Sequence, residues 1–177
     1  METNCKDCPL RLFNTKGYPI KGKGTTVYGN IIIIPTIDKN AYKKQDITFD
    51  AMVQDMIDII HSSTGGQLLD FCYITSLVKC TGNKRCPITP DIADKCFEHF
   101  IKEFNSIPIK HVLFLGKNTL QNLSDINAER IRTGRNYCNC RKIMDYAWNY
   151  SPGVKYYDDK KFEIFKQALI NWYNYII

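Results

Sequence analysis

Four cysteines are the residues of this chain whose types and spacing most directly predict chemistry. Cys5 and Cys8 form a CxxC pair near the amino end, and Cys80 and Cys96 follow much later. Sulfurs at CxxC spacing point the same way, so one turn can present both to a single metal centre. Four thiolates suit either tetrahedral zinc or a [4Fe–4S] cluster, and the spacing alone does not choose between them.

The expected compartment favours metal binding over disulfide formation. The amino-terminal residues are polar without a secretory apolar segment, and the longest strongly apolar run, residues 31–34, is too short to cross a bilayer. We therefore expect a cytoplasmic protein with no membrane partner, nucleoid-associated or, if viral, in the host-cell cytoplasm. Thiols stay reduced there, which leaves a disulfide scaffold as the alternative for the eight cysteines. Cys86, Cys138 and Cys140 receive no assigned role.

Composition predicts one folded domain and permits an anionic partner. The chain has 177 residues, of which 44% are hydrophobic, enough for one sizeable core. Its formal net charge is +6. That excess is compatible with a nucleic acid partner, and ordinary surface charge explains it equally well.

Strand and helix patterns alternate along the chain. Apolar runs predict strands at residues 30–34, 72–78, 111–115 and 143–150, and helical spacing predicts helices at residues 49–61, 119–123 and 159–175 and one that starts at Thr89. Residues 1–29 are interpreted as a cluster-binding tether. The alternation predicts a single α/β domain over residues 1–177, with three αβα layers around a mostly parallel four-stranded sheet. Ligands bind such sheets beyond the carboxyl ends of the strands.

The ordered set of these pieces resembles the iron–sulfur members, of family 4 and family 5 type, of the uracil-DNA glycosylase superfamily. The resemblance covers most of the chain. Its segments are the CxxC pair with Leu10, YITSLVKC at residues 73–80, NKRxP at 83–87, Cys96 on a helix, VLFLG at 112–116, IRxG at 131–134 and Ser151-Pro152. The resemblance implies that Cys5, Cys8, Cys80 and Cys96 hold a structural [4Fe–4S] cluster near the DNA-binding surface, with zinc as the alternative.

Members of that family flip a nucleotide into a pocket and excise its base, and the matching pocket positions here are altered. Thr36 occupies the position of the family's catalytic glutamate, and Asp38 is the candidate replacement that would position water. Phe49 matches the ring that stacks on the base, or else is the first core residue of the next helix. Ser76 replaces the base-reading asparagine, and Ser151 replaces the histidine that stabilises the departing base. Loss of one such donor typically costs about 2.7–4 kcal/mol in the reaction barrier.

DNA binding is the property that the resemblance leaves best supported. The predicted DNA-binding residues are Lys79, Lys84, Arg85, Arg132, Arg135, Val154, Lys155 and Tyr156. Basic side chains would contact phosphates, and the apolar and aromatic residues of the loop at 151–157 would insert between bases. The alternative is a solvated loop whose tyrosines pack on the last helix.

Three functions therefore compete. The leading expectation is an iron–sulfur DNA-binding protein of glycosylase fold, with base excision weakened, retargeted or lost. It would bind single- or double-stranded DNA in repair or replication, together with a replication or repair protein. The second is an active uracil-DNA glycosylase. The third is a protein-interaction module without a DNA role, whose tyrosine-rich carboxyl end faces a partner.

Overall fold

One twisted sheet forms the centre of the molecule. In the computed structural model of the chain, residues 5, 7–12, 19–82, 85–116, 145–149 and 152–177 are described. Within them the sheet has five strands, β1 (Lys23–Gly24), β2 (Asn30–Thr36), β3 (Tyr73–Val78), β4 (His111–Leu115) and β5 (Asp145–Asn149), in the order β1-β3-β2-β4-β5. Strands β2 to β5 are parallel, whereas the two-residue β1 is antiparallel to β3.

The helices of the described part of the chain connect and cover these strands. They are α1 (Lys39–Lys44), α2 (Ala51–Thr64), α3 (Leu68–Phe71), α4 (Pro90–Asn105) and α5 (Asp159–Ile176). Three 3₁₀ turns accompany them, at Pro9–Leu12, Ile47–Phe49 and Pro152–Tyr156. Of the described helices, none is long and apolar enough to span a membrane.

Alternation along the central strand creates two cores. Ile31 and Ile33 of β2 belong to the core beneath α4, whereas Ile32 and Ile34 belong to the core shared with α2 and α5. All four are fully buried. A strand buried on both faces reads as a continuous apolar run, and this is the pattern of residues 30–34. The predicted α/β class with three layers and a mostly parallel sheet is confirmed.

The helix boundaries follow local capping signals. Asp50 caps α2 by accepting hydrogen bonds from the amides of Met52 at 2.8 Å and Val53 at 3.4 Å. Gly65 ends α2 in the left-handed region, with a φ of 70°. Thr89 caps α4 and Pro90 opens it, as the sequence predicts. The start of α2 differs from the prediction, because Phe49 lies in the preceding 3₁₀ turn.

The amino-terminal segment is more ordered than the predicted tether. Leu10 and Ile20 are buried in the two cores, and β1 adds an antiparallel edge to the sheet. Gly24 permits this approach, because its φ is 109° and a Cβ there would lie 2.1 Å from the carbonyl oxygen of Cys72. Two further elements, α1 and α3, were not predicted. The predicted helix at 119–123 lies outside the described residues.

The strand order identifies the edge where ligands bind in such sheets. From β2 the chain moves to β3 on one side and then crosses to β4 on the other. The crevice at such a topological switch lies outside the carboxyl ends of the strands. Thr36 ends β2 there, Lys79 and Cys80 follow β3 there, and Gly116 follows β4.

Candidate functional site

Two of the four predicted ligand cysteines, Cys80 and Cys96, flank the loop between β3 and α4. Cys80 follows the carboxyl end of β3, and Cys96 lies in the amino-terminal half of α4, where it is buried. The backbone amide of Lys79 donates a hydrogen bond to Cys96 Sγ at 3.2 Å. Cys8 and Cys80 both pack against the core beneath α4. The amino-terminal turn, β3 and α4 therefore bring cysteine side chains to one face of the sheet.

The four thiols influence one another electrostatically. Burial, together with the charges of Cys96, Cys5 and Cys8, raises the pKa of Cys80 to about 12. Burial likewise raises the pKa of Cys96 to about 11, against the amide and charge of Lys79. Among the described residues, however, no group of three or more His, Cys, Asp or Glu side chains is arranged to hold a metal ion.

The donor chemistry nevertheless suits a metal that binds thiolates. Buried thiols that raise one another's pKa are hard to ionise, and a bound cation would offset that mutual repulsion. Two polar groups already point at the sulfurs, the amide of Lys79 at Cys96 and the imidazole of His99 at Cys5. That Cys5, Cys8, Cys80 and Cys96 hold zinc or an iron–sulfur cluster stays a prediction.

His99 is a neighbour of the cysteines that the sequence analysis missed. Its Nε2 lies 3.0 Å from Cys5 Sγ, across 94 positions of sequence. Cys96 and His99 are three residues apart on α4, so both face the same side of the helix. That spacing was a usable signal, although only the folded chain shows that Cys5 reaches His99.

A buried ion pair adjoins the cysteines. Lys79 Nζ lies 2.7 Å from Glu103 Oε2 and also donates to the hydroxyl of Thr75. Glu103 Oε1 accepts further hydrogen bonds from the amide of Gly22 at 2.8 Å, the Tyr73 hydroxyl at 2.9 Å and the Thr75 hydroxyl at 2.8 Å. The amino-terminal segment, β3 and α4 are thereby joined through one carboxylate.

The protonation of this pair follows from its surroundings. Burial alone would raise the pKa of Glu103, but the ammonium of Lys79 and the hydrogen-bond donors outweigh it and leave the pKa below its ordinary value. Burial lowers the pKa of Lys79, against the charge of Glu103. Because so many donors surround the carboxylate, we treat the pair as ionised.

The placement of Lys79 contradicts its predicted role in DNA binding. Only 1% of its side chain is exposed, and its ammonium faces Glu103 rather than solvent. A lysine in that position cannot reach a phosphate. Arg85, from the same loop, is exposed as the prediction requires. Lys84, Arg132 and Arg135 lie outside the described residues, as does Ser151.

Asp38, the candidate replacement for the family's catalytic glutamate, accepts hydrogen bonds from backbone amides. Its Oδ1 accepts a hydrogen bond from the amide of Ala41 at 2.8 Å, and its Oδ2 accepts one from Ala51 at 3.1 Å. Its own amide donates to Asp50 Oδ2 at 2.7 Å. Burial and the charge of Asp38 raise the pKa of Asp50, against the amides that donate to it. Both oxygens of Asp38 are therefore used in starting α1 and α2.

Thr36 and Ser76 offer little to a nucleobase in this arrangement. The Thr36 hydroxyl donates to the carbonyl oxygen of Cys80 at 2.9 Å, which ties the end of β2 to the cysteine loop. Ser76 is fully buried in β3, and its hydroxyl has no hydrogen-bond partner among the described residues. A buried serine hydroxyl without a partner cannot replace an exposed amide that reads a base edge.

Phe49 lies exposed at the surface and not in the core. Phe49 is 44% exposed, and Lys44 Nζ lies 5.7 Å from its ring centroid. The ring belongs to the turn that follows α1, beyond the carboxyl end of β2. The alternative that Phe49 is the first core residue of the next helix is wrong.

The turn after β5 exposes its tyrosines but not its valine. Val154 is 3% exposed, so it is not available as the predicted wedge. Lys155 forms an ion pair with Asp55 of α2 at 2.5 Å, and its Nζ lies 5.0 Å from the centroid of the Tyr156 ring. Tyr156 and Tyr157 are 72% and 75% exposed. The alternative that these tyrosines pack on the last helix does not describe their placement.

The sequence analysis did not identify a set of three basic side chains on α1. Lys39, Lys43 and Lys44 are all exposed on this helix, which carries no acidic residue. The helix follows the carboxyl end of β2 and leads into the turn that bears Phe49. The stretch KNAYKK, with three lysines and no acidic residue, was a usable charge signal.

No protein-family model and no curated protein matches this chain.

Proposed function

We propose that this protein binds DNA at the carboxyl edge of its sheet and carries a thiolate-bound [4Fe–4S] cluster beside that edge. Its base-excision activity is weakened, retargeted or lost, and its place is in DNA repair or replication. The proposal joins the family resemblance of the motifs to the surface and contacts described above.

The exposed ring of Phe49 beside a lysine is the observation that carries the DNA-binding part. An aromatic residue that is 44% exposed offers a face on which a base can stack. Lys44 lies against that ring, and the other two lysines of α1 are near enough in sequence to contact the flanking phosphates. The exposed Tyr156 follows β5 at the same edge.

The proposed loss of excision rests on Thr36, Asp38 and Ser76. Thr36 donates a hydrogen bond to a backbone carbonyl, Asp38 accepts hydrogen bonds from two backbone amides, and Ser76 is fully buried. A group that positions water must present an oxygen toward the substrate. The exposed ring of Phe49 is compatible with binding of a flipped nucleotide. An active glycosylase therefore stays the second candidate.

The binding proposal is tested by measuring affinity for a single-stranded oligonucleotide by fluorescence anisotropy. Phe49→Ala should weaken binding by about 1–3 kcal/mol, the usual contribution of one base–aromatic stack. Tyr175→Ala is the matched control, because Tyr175 is 65% exposed but its ring lies against His111 at the amino end of β4. Equal effects of the two changes would remove Phe49 from the interface. Binding that does not weaken with salt would favour the protein-interaction alternative.

The excision proposal is tested with anaerobically prepared protein and oligonucleotides that carry one uracil. We expect no alkali-labile abasic site above the level in buffer, from either single or double strands. Cleavage far above buffer would establish the second candidate. In that case Asp38→Asn distinguishes whether Asp38 takes part, since an unchanged rate would exclude it.

The metal proposal is tested by iron, sulfide and zinc analysis of protein purified without oxygen. We expect about four irons and four sulfides for each chain, as a [4Fe–4S] cluster requires. Cys80→Ser and Cys96→Ser should lose them, while Cys72→Ser is a control, because Cys72 is buried in the other core. Zinc in place of iron would identify the alternative metal.

A further inference from the structure

The imidazole of His99 contacts one of the four predicted ligand cysteines. Its Nε2 lies 3.0 Å from Cys5 Sγ, and this contact joins the amino-terminal CxxC turn to α4. Cys96 lies three residues earlier on the same helix. One turn of α4 therefore presents a predicted ligand and a ring that contacts another predicted ligand.

The direction of this hydrogen bond depends on the state of the sulfur. A thiol can donate its proton to an imidazole nitrogen, but a thiolate bound to a metal has no proton to give. Once Cys5 is a ligand, its sulfur can only accept, so Nε2 must carry the hydrogen. Histidines and other groups that bond ligands in this way hold the ligand in position and change the electron density at the metal.

We propose that His99 donates an Nε2–H hydrogen bond to the metal-bound sulfur of Cys5, and so acts as a positioning residue of the cysteine site. The inference rests on the metal centre proposed above. It places one nitrogen donor on Cys5, as the amide of Lys79 is a donor to Cys96. Hydrogen bonds to sulfur stabilise the more negative, reduced form of an iron–sulfur cluster, so they raise its reduction potential.

The test compares four full-length proteins prepared without oxygen: wild type, His99→Ala, His99→Gln and His61→Ala. His61 is a matched control, because it is an exposed histidine near the end of α2, a helix packed in the other core. Iron and sulfide are counted first, and the midpoint potential of the cluster is then measured by a titration that follows its absorbance and electron paramagnetic resonance.

We expect the same iron content in all four proteins and a midpoint potential in His99→Ala that is shifted to more negative values. Glutamine keeps an N–H donor, so His99→Gln should recover part of that shift, and His61→Ala should match wild type. Equal potentials in wild type and His99→Ala would overturn the inference while leaving the cluster in place. Loss of iron in both His99 variants would also overturn it, because glutamine keeps an N–H donor and should therefore retain the cluster.

A zinc-bound protein is tested by the rate at which a chelator removes the metal. Faster release from His99→Ala, restored toward wild type by His99→Gln, supports the hydrogen bond, and equal rates overturn it. A wild-type protein that holds neither metal removes the metal centre and this inference together. The metal content of the wild type therefore separates failure of the proposed function from failure of the role of His99.

Discussion

Glu103 shows how one side chain can join distant parts of this chain. Its two oxygens accept hydrogen bonds from Gly22, Tyr73, Thr75 and Lys79, and only 11% of its side chain is exposed. A carboxylate with this many donors is favourable only while every donor stays in place. Replacing only one member of the Lys79–Glu103 pair should therefore destabilise the fold.

Lys79→Met should destabilise the fold by about 3–5 kcal/mol, because it leaves a buried carboxylate without its counter-ion. The double variant Lys79→Met/Glu103→Gln should recover part of that loss, since glutamine still accepts from Tyr73 and Thr75. Lys110→Met, at an exposed lysine, is the control. Urea unfolding at equal metal content measures the three differences. A cost for Lys79→Met no larger than that of the control would show that the buried pair contributes nothing.

Acid should remove the contribution of Glu103 to stability. Its folded pKa lies below the ordinary value of 4.5, so the contribution is complete above that value and is lost as the pH falls through the folded pKa. The difference in unfolding free energy between wild type and Glu103→Gln should therefore shrink as the pH falls from about 7 to about 3. A constant difference would mean that Glu103 does not titrate as argued.

At the scale of elements, two aspartates organise the start of both helices after β2. Asp38 caps α1 and reaches the first amide of α2, and Asp50 caps α2 and accepts the amide of Asp38. This reciprocal arrangement sets the path of residues 38–51, which include the turn that exposes Phe49. A loop that the sequence identifies only as a candidate site is thus held by its own backbone bonds.

Asp50→Ala should destabilise the fold by more than the loss of a typical N-cap. Loss of an N-cap costs about 0.5–2 kcal/mol, and here the amide of Asp38 also loses its partner, the fully buried Asp50. The stability of Asp50→Asn should lie between those of wild type and Asp50→Ala. Asparagine keeps one side-chain oxygen that accepts hydrogen bonds, but its NH2 group cannot accept one from the backbone amide of Asp38. Asp158→Ala, which removes the exposed cap of α5, is the control. Thermal unfolding orders the four proteins, and equal costs at Asp50 and Asp158 would contradict the argument.

Gly22 is required by the close approach of the amino-terminal segment to β3. A Cβ at this position would lie 2.4 Å from the carbonyl oxygen of Ile74 and 2.8 Å from Glu103 Oε1. Gly22→Ala should displace the segment and break the hydrogen bond from Gly22, at a cost of about 1–3 kcal/mol. Val27→Ala, at a side chain that is 76% exposed, is the control. Proteolysis should cut Gly22→Ala faster near residue 22, and an unchanged cutting pattern would argue against the displacement.

At the scale of the whole molecule, charge at one edge of the sheet should govern the response of DNA binding to salt. Lys39 and Lys43 lie beyond the carboxyl end of β2, whereas Lys102 and Lys110 lie near the amino ends of the strands. Replacing Lys39 and Lys43 with glutamine should reduce the slope of log K against log salt by about 1.4 for a single strand.

The matched control for that measurement is the double change of Lys102 and Lys110 to glutamine, which removes the same charge from the other edge. Its slope should equal that of wild type. A similar reduction by both double variants would show that DNA senses only the net charge of +6 and not the carboxyl edge.

Local patterns in the sequence determined most of the architecture. The apolar runs at residues 30–34 and 111–115 became β2 and β4, and Thr89 and Pro90 started α4, because burial on both faces and helix capping act over a few neighbouring residues. The cysteine pattern was equally visible as a candidate metal site. The resemblance also directed attention to Phe49, but its exposure depends on the turn in which it lies.

Only the tertiary structure decided which polar groups meet. Lys79 was assigned to DNA because a cation in a loop is usually solvated, whereas the fold buries it against Glu103, 24 positions away. Cys5 and His99 meet across 94 positions, and Val154 is buried. Such contacts depend on the packing of separate elements, and the free energy of burying a charge or a hydrogen bond is determined there, not by local sequence.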